Sequence, residues 1–323
     1  MDLSKELAIG IDIGGTNTKW GLVNHRGEIV EKGEIKTDSF LTIESFVEGL
    51  YATLEPIIQK VGDGDRVRGM GVGAPNGNYY TGTIDYAPNL HWKGIIPLAR
   101  LISERFGLPC SLTNDANAAA VGEMMYGAAR GMKDFIMITL GTGVGSGIVA
   151  NGHIIYGHDG FAGELGHTVI RPGGRQHWST AIPGSLEAYC SATGIALTAY
   201  EMLAQSNVES TLRSYPPNTI DAKAVYDCAI QGDVIAAEVY RYTGQILGEA
   251  LANFIMFSSP QAIILFGGVI KAGDLIIVPT KEHMEKNLLP IFQDKVKLIF
   301  SELKEADAAI LGASALVWEL KKE

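Results

Sequence analysis

The chain has 323 residues and a net charge of -10, with 46% hydrophobic and 19% charged residues. That length suggests about two domains with substantial cores, and the low charged fraction excludes a disordered tail. The acidic balance argues against general nucleic-acid binding, which needs a basic face, but not against anionic ligands, which glycine loops bind through backbone N–H groups.

The opening MDLSKELAIG has no apolar signal core, and no apolar run is long enough to span a membrane. Cys110, Cys190 and Cys228 form no CxxC pair and read as free thiols in a reducing compartment. A cytoplasmic protein is expected.

Ala8–Ile13, Thr18–Val23 and Glu28–Ile35 read as a three-strand meander. Leu41–Lys60 follows as a helix with Phe46, Leu50, Leu54 and Ile57 near one face, and Pro56 is placed to kink its last turn. Val67–Gly73 is a strand, Pro97–Phe106 a helix and Pro109–Thr113 a short buried strand. The run NDANAAAVGEMMYG, from Asn114, is rich in strong helix formers. Asp134–Leu140 and Gly147–Val149 are strands, and residues 151–185 are loop-rich. Leu186–Leu203 and Val234–Phe257 read as helices, Gln261–Phe266 and Lys295–Ser301 as strands, and Asp307–Lys322 as a final helix with Leu311, Ala315 and Trp318 along one side.

IDIGGTNTKWGLV (Ile11–Val23) and ITLGTGVGSGIV (Ile138–Val149) share one form: apolar strand, glycine turn with threonine, apolar strand. A hairpin alone accounts for Gly14-Gly15. The second copy, about 127 residues later, is too distant for a solenoid period and points to one duplicated unit in each of two domains. Neither turn is a P-loop or a dinucleotide fingerprint. Paired, Gly14, Gly15, Thr16 and Asn17 on one side and Gly141, Thr142 and Gly143 on the other offer backbone N–H and hydroxyl donors to phosphate. Asp12 is placed to hold Mg²⁺ through water. Gly267-Gly268 is a third glycine stop after a buried strand. This pattern resembles the actin-like ATPase superfamily of sugar kinases. The resemblance implies a two-domain α/β, ribonuclease H-like fold, an active site in the interdomain cleft, and Gly267 and Gly268 near the adenosine.

In TNDANAAAVGE, Asn114 or Asp115 caps the helix. The same geometry keeps an aspartate ionised and able to take a proton from an attacking sugar hydroxyl. Both roles are compatible, with Asn114 as the cap. In GELGH, Glu164 and His167 lie three apart, either as a surface hydrogen-bonding pair or as a cleft pair.

IDIGGTNTKWGLV, GVGAPNG, APNLHW, LTNDANAAAVGE, LGTGVGSGI, GELGH, LEAYCSATG and ILFGGV occur in the order seen in ROK proteins (repressors, open reading frames and kinases), over nearly the whole chain. The chain most resembles ROK glucokinases. The resemblance implies Asp115 as catalytic base, and Asn89, Asn114, Glu164, His167 and Glu187 as sugar-hydroxyl ligands. Gly14, Thr16, Thr142 and Gly143 would be phosphate contacts. For Glu187 a helix-dipole role in the first turn of LEAYCSATG stands beside this. ATP, Mg²⁺, a hexose and a homodimer are the implied partners. Domains are expected at 1–117 plus 305–323 and at 118–304.

One departure stands out. Most ROK proteins bind structural zinc through the histidine of GELGH and three cysteines in a CxCGxxGCxE run. Here the stretch reads HWSTAIPGSLE (His177–Glu187), without those cysteines. His177, with His153 or His158, falls short of four good ligands, so no zinc is expected and Cys190 reads as a packed thiol. Trp178, Ile182 and Pro183 are left to hold the loop. Rival substrates are N-acetylmannosamine, N-acetylglucosamine, fructose and mannose, and polyphosphate is a rival donor. A catalytically silent sugar-binding protein is the alternative of another class. A repressor is disfavoured by the acidic charge and by a first phosphate strand that already begins near Ala8.

Overall fold

The computed structural model describes residues 6–61 and 67–319. β1 (Leu7–Ile13), β2 (Asn17–Asn24) and β3 (Ile29–Lys36) form the expected meander. α1 (Ile43–Lys60) starts at a capping box between Thr42 and Ser45 and continues through Pro56. Its buried residues are Phe46, Val47, Leu50, Leu54 and Ile58, so the last core contact falls one residue beyond Ile57. β4 (Val67–Ala74) is followed by three short strands that the sequence did not announce, β5 (Gly77–Asn78), β6 (Thr83–Asp85) and β7 (Ile95–Ile96). Then come α2 (Leu98–Phe106), β8 (Cys110–Asn114) and α3 (Asp115–Tyr126).

β9 (Phe135–Leu140), β10 (Val144–Ala150) and β11 (His153–Ile154) precede the loop-rich stretch. The helix expected at Leu186–Leu203 is two helices, α4 (Glu187–Cys190) and α5 (Ala192–Gln205). Ser191 adopts an extended conformation, its side chain accepts from Gly194 N–H, and so it starts a new helix inside what looked like one run. α6 (Ala222–Ala229), also unanticipated, starts at an Asp221 cap, and α7 (Val234–Ser258) at an Asp233 cap. β12 (Ala262–Phe266), α8 (Asp274–Lys286), β13 (Lys297–Phe300) and α9 (Glu305–Glu319) complete the chain. α8 escaped notice because it carries Pro279. It packs against Gly244 and Gly248 of α7, where a side chain would strike Pro279, Ile276 and Thr280.

The first sheet has the order β3-β2-β1-β4-β8, with β1 antiparallel to β2 and parallel to β4. The second repeats it as β11-β10-β9-β12-β13, with β12 parallel to β9 and β13. Strand for strand this is the duplication that the two glycine hairpins indicated.

Contacts among the described residues divide the chain into two compact units. One takes the stretch up to Lys133, Gly147–Gly163 and the chain from Ser301 onward; the other takes Asp134–Ser146 and Glu164–Phe300. This division differs from a boundary at residue 118. α3 stays with the first unit because it packs on α9, with Gly122 against Gly312 and Gly312 against the Ala118 carbonyl.

In the first unit a transverse row of glycines, Gly21, Gly10 and Gly71, crosses β2, β1 and β4 in register. α9 lies directly on this bare backbone. A Cβ on Gly10 would meet Ile310 O and Ser314 N, and one on Gly71 would meet Ala313 O. Among the described residues no helix is long and apolar enough to cross a membrane.

Candidate active site

In the first unit, the β1–β2 hairpin is closed by Gly14 N–H donating to Asn17 O at 3.0 Å. Gly15 lies so close to the Asn89 carbonyl that a Cβ would sit 2.6 Å from its oxygen. The glycine turn and the APNL loop are thus packed together by backbone. Thr16 points its side chain to solvent, while its carbonyl accepts from Thr37 N–H at 2.8 Å. The Asn17 Oδ1 is buried without a partner, an acceptor in want of a donor beside the turn.

Asn114 caps α3, as the sequence reading proposed. Its Oδ1 accepts from Ala116 N–H at 2.8 Å and Asn117 N–H at 3.2 Å, which leaves its amide nitrogen for a ligand. Asp115 is the first helical residue, and its Oδ1 also accepts from Ala116 N–H. Asp12 and Asp115 flank Gly73. A Cβ there would lie 3.6 Å from the Asp115 Cα and 4.0 Å from an Asp12 carboxylate oxygen. This bare position on β4 is what lets the helix start approach the end of β1.

The two carboxylates shape each other's ionisation. Asp12 is pushed up from 3.8 to about 6, mainly by burial, then by the Asp115 charge, with the Lys19 ammonium pulling down. The carboxyl of Asp115 is raised by crowding protein atoms, against the lowering effect of the backbone N–H groups at Ala116 and at Asp115 itself. Asp115 nonetheless keeps an exposed surface, and solvent screens part of that raise. Lys19 was missed in the sequence. It stands opposite Asp12 in the β1–β2 register and opposite Glu34 in the β2–β3 register, so charges alternate along one rung. Only the strand pairing makes that visible.

In the second unit, the β9–β10 turn has Gly141 N–H donating to Gly143 O, and Gly141 O accepting from Ala192 N–H at the start of α5. Thr142 is exposed. Gly143 faces Glu187: a Cβ would fall 2.6 Å from Oε2, which itself accepts from Val144 N–H at 2.6 Å. GELGH folds into a short 3-10 turn, Leu165–His167, laid on the same strand. Leu165 N–H donates to Ser146 Oγ at 3.2 Å, and Gly166 is bare because the Val144 carbonyl occupies the space of a side chain. Ser146, within GTGVGSG, is a second residue overlooked in the sequence. The Nε2 of His167 lies 3.9 Å from Glu164 Oε2, and its Nδ1 is buried without a partner. Gly267 has a φ of 109° and abuts the Leu140 carbonyl, so it must be glycine on both counts, whereas Gly268 borders open space.

His177 does not offer itself to a metal. Its Nδ1 accepts from the N–H groups of Ser179 and Thr180 at 3.2 and 3.1 Å, and its Nε2 lies 2.6 Å from Glu187 Oε1. With both ring nitrogens engaged, and no group of three or more metal-binding side chains among the described residues, this donor set does not fit the family's zinc site. Arg175 holds the loop. Its guanidinium donates to Ala188 O, Gly194 O, Thr198 Oγ1 and both Glu201 oxygens, and lies over the Tyr189 ring. Cys190 is fully buried, with its thiol directed at Thr243 O.

Ala181 in this loop has a φ of 57°. The left-handed region costs an L-residue about 1–2 kcal/mol, partly offset by the chain entropy of glycine. Ala181→Gly is therefore expected to stabilise by about 0.5–1 kcal/mol, read as an upward shift of about 1–2 °C in thermal denaturation.

A sequence profile described as the ROK family matches residues 8–319. A glucokinase of Halalkalibacterium halodurans is 37% identical over 321 residues, covering 98% of this chain and 96% of that one. A glucokinase of Thermotoga maritima is 34% identical over 315 residues, covering 96% and 97%. The crystal structure of a ROK family glucokinase from Streptomyces griseus, in complex with glucose and AMPPNP, superimposes with a TM-score of 0.77. It is 30% identical, with 97% of this chain and 100% of that chain covered. These matches run nearly end to end, and the motifs they span include both glycine hairpins, NDA and GELGH, so the chain belongs to the ROK family.

Proposed function

We propose that this ROK sugar kinase is a glucokinase that moves the γ-phosphoryl group of ATP to the 6-hydroxyl of glucose. The observation that carries the reading is Asp115. It sits on the first turn of α3 beside the Asn114 cap, across bare Gly73 from Asp12. A carboxylate there accepts the proton of the 6-hydroxyl as that oxygen bonds to phosphorus and ADP leaves. The work of the rest is positioning. Asn89, Asn114, Glu164, His167 and Glu187 are assigned to the sugar hydroxyls. Gly14, Gly15, Thr16, Asn17, Thr142 and Gly143 are assigned to the phosphates, and Gly267 and Gly268 to the adenosine. Mg²⁺, when bound, neutralises phosphate charge, and Asp12 is the residue assigned to hold it through water.

Relatives named glucokinase, 37% and 34% identical over nearly their full length, favour glucose among the hexoses. A cytoplasmic location goes with this reading, since ATP and hexose are its substrates, and a homodimer is the expected assembly, checked by sedimentation. The test of function is ADP release with Mg-ATP across glucose, mannose, fructose, N-acetylglucosamine and N-acetylmannosamine. Turnover greatest on glucose is the expected result. Turnover confined to another sugar overturns the glucokinase reading and keeps the kinase. Sugar binding without turnover on any of them overturns both.

A further inference from the structure

One short segment of the second unit, Gly143–Ser146, contacts Glu187 directly and, through Leu165 and Gly166, seats the turn that carries Glu164 and His167. Val144 N–H and the bare face of Gly143 hold Glu187, while Ser146 Oγ and the Val144 carbonyl seat the turn that carries Glu164 and His167. Glu187 leaves this segment by its other oxygen, which meets His177. His177 is 2% exposed, and Trp178 stacks on it with ring centroids 4.1 Å apart.

The tautomer of His177 follows from its neighbours. Nδ1 faces two backbone N–H donors and therefore carries no proton; a protonated Nδ1 would oppose donor to donor. The ring proton is on Nε2 and is donated to Glu187 Oε1. Each carboxylate oxygen of Glu187 thus has one fixed donor, from Val144 and from His177, and their directions set the plane of the carboxylate.

We propose that His177 is a positioning residue for the sugar site, aiming Glu187 by its Nε2–H while Glu187 ties the His177–Leu186 loop to the glycine hairpin. The proposal rests on the kinase reading for its kinetic consequence but not for the bond itself. A charge-assisted hydrogen bond of this kind is strong, and its loss lets the carboxylate swing. In the same way, within this unit the Thr142–Gly143 turn assigned to phosphate adjoins the segment that seats Glu187 and the Leu165–His167 turn.

Two substitutions separate aiming from loop folding. His177→Asn keeps an acceptor near the Nδ1 position for Ser179 and Thr180 but is too short to reach Glu187. His177→Gln reaches Glu187 with an amide N–H but abandons the two backbone donors. We expect His177→Asn to raise KM for glucose by about ten-fold or more, with a smaller fall in kcat. His177→Gln should recover most of that loss despite a lower melting temperature. The reverse order, or wild-type KM in both, overturns the proposal and leaves His177 a loop residue only. Imidazole ¹⁵N NMR of the wild type and of Glu187→Gln is the companion measurement. A protected Nε2–H in the wild type that Glu187→Gln perturbs is the expected result. If the wild type phosphorylates no sugar, the kinase reading falls, and a freely exchanging Nε2 proton, indifferent to Glu187→Gln, overturns this proposal as well.

Discussion

Asp115→Asn is expected to lower kcat by about 10³-fold or more while glucose affinity stays within a few-fold. The amide keeps the size of the side chain and an oxygen for Ala116 N–H, so α3 should start where it does now. It does not take a proton, and that is the step assigned to Asp115. Steady-state turnover, with glucose binding followed by intrinsic fluorescence, gives both readings. Retained turnover removes Asp115 as the base.

The same substitution has a second signature in stability. Asp12 is pushed up to about 6 by burial first and by Asp115 second. A carboxyl held above its ordinary value binds more protons folded than unfolded. Its contribution is fully present below about 4 and is lost as pH rises through about 6. In chelator, without Mg²⁺, Asp115→Asn removes one cause of that raise. Removing the Asp115 carboxyl also removes its own raised titration, which acts in the same direction, so the variant should gain stability at pH 7, with the gain shrinking toward pH 4.5. Thermal denaturation at the two pH values checks this sign. A constant difference at both would mean that neither carboxyl is held above its ordinary value in the folded protein. A gain confined to pH 7 would make the pair one more case of a functional site kept at the expense of stability.

Gly71→Ala is expected to have the largest effect on folding. The added methyl would be driven into the Ala313 carbonyl of α9, and the backbone on both sides is held, by the sheet below and by the helix above. A flexible side chain could turn away; a carbonyl in a helix interior cannot. Overpacking of this kind typically costs about 1–3 kcal/mol, and with backbone on both sides at least the upper figure is expected. Gly141→Ala is the control for stability. No atom lies within 4 Å of its added Cβ, and its melting temperature should barely move, even if nucleotide affinity changes. Equal melting temperatures for the two variants would show that α9 does not rest on the glycine row as described.

Some of this was open to inspection in the one-dimensional chain. Wherever a residue's conformation is set by near neighbours, the sequence alone determined the outcome. Asn114 caps α3 because its side chain reaches N–H groups two and three residues on. The two glycine hairpins announced the duplicated strand order because a strand, a tight turn and a returning strand are all local. The motif order alone led to the ROK family.

Local reading failed where a local signal was outweighed. The Leu186–Leu203 run reads as one helix, but Ser191 competes for the backbone and divides it. α8 forms in spite of Pro279 because α7 offers glycines to receive it. Tertiary structure alone decided what distant residues do to each other. Lys19 meets Asp12 only through strand register, Gly71 meets Ala313 across 242 positions, and His177 reaches Val144 only by way of Glu187. Such contacts depend on how elements pack. Periodicity and capping rules act over a few residues and carry no information about which strand will lie beside which, so these pairings waited on the fold.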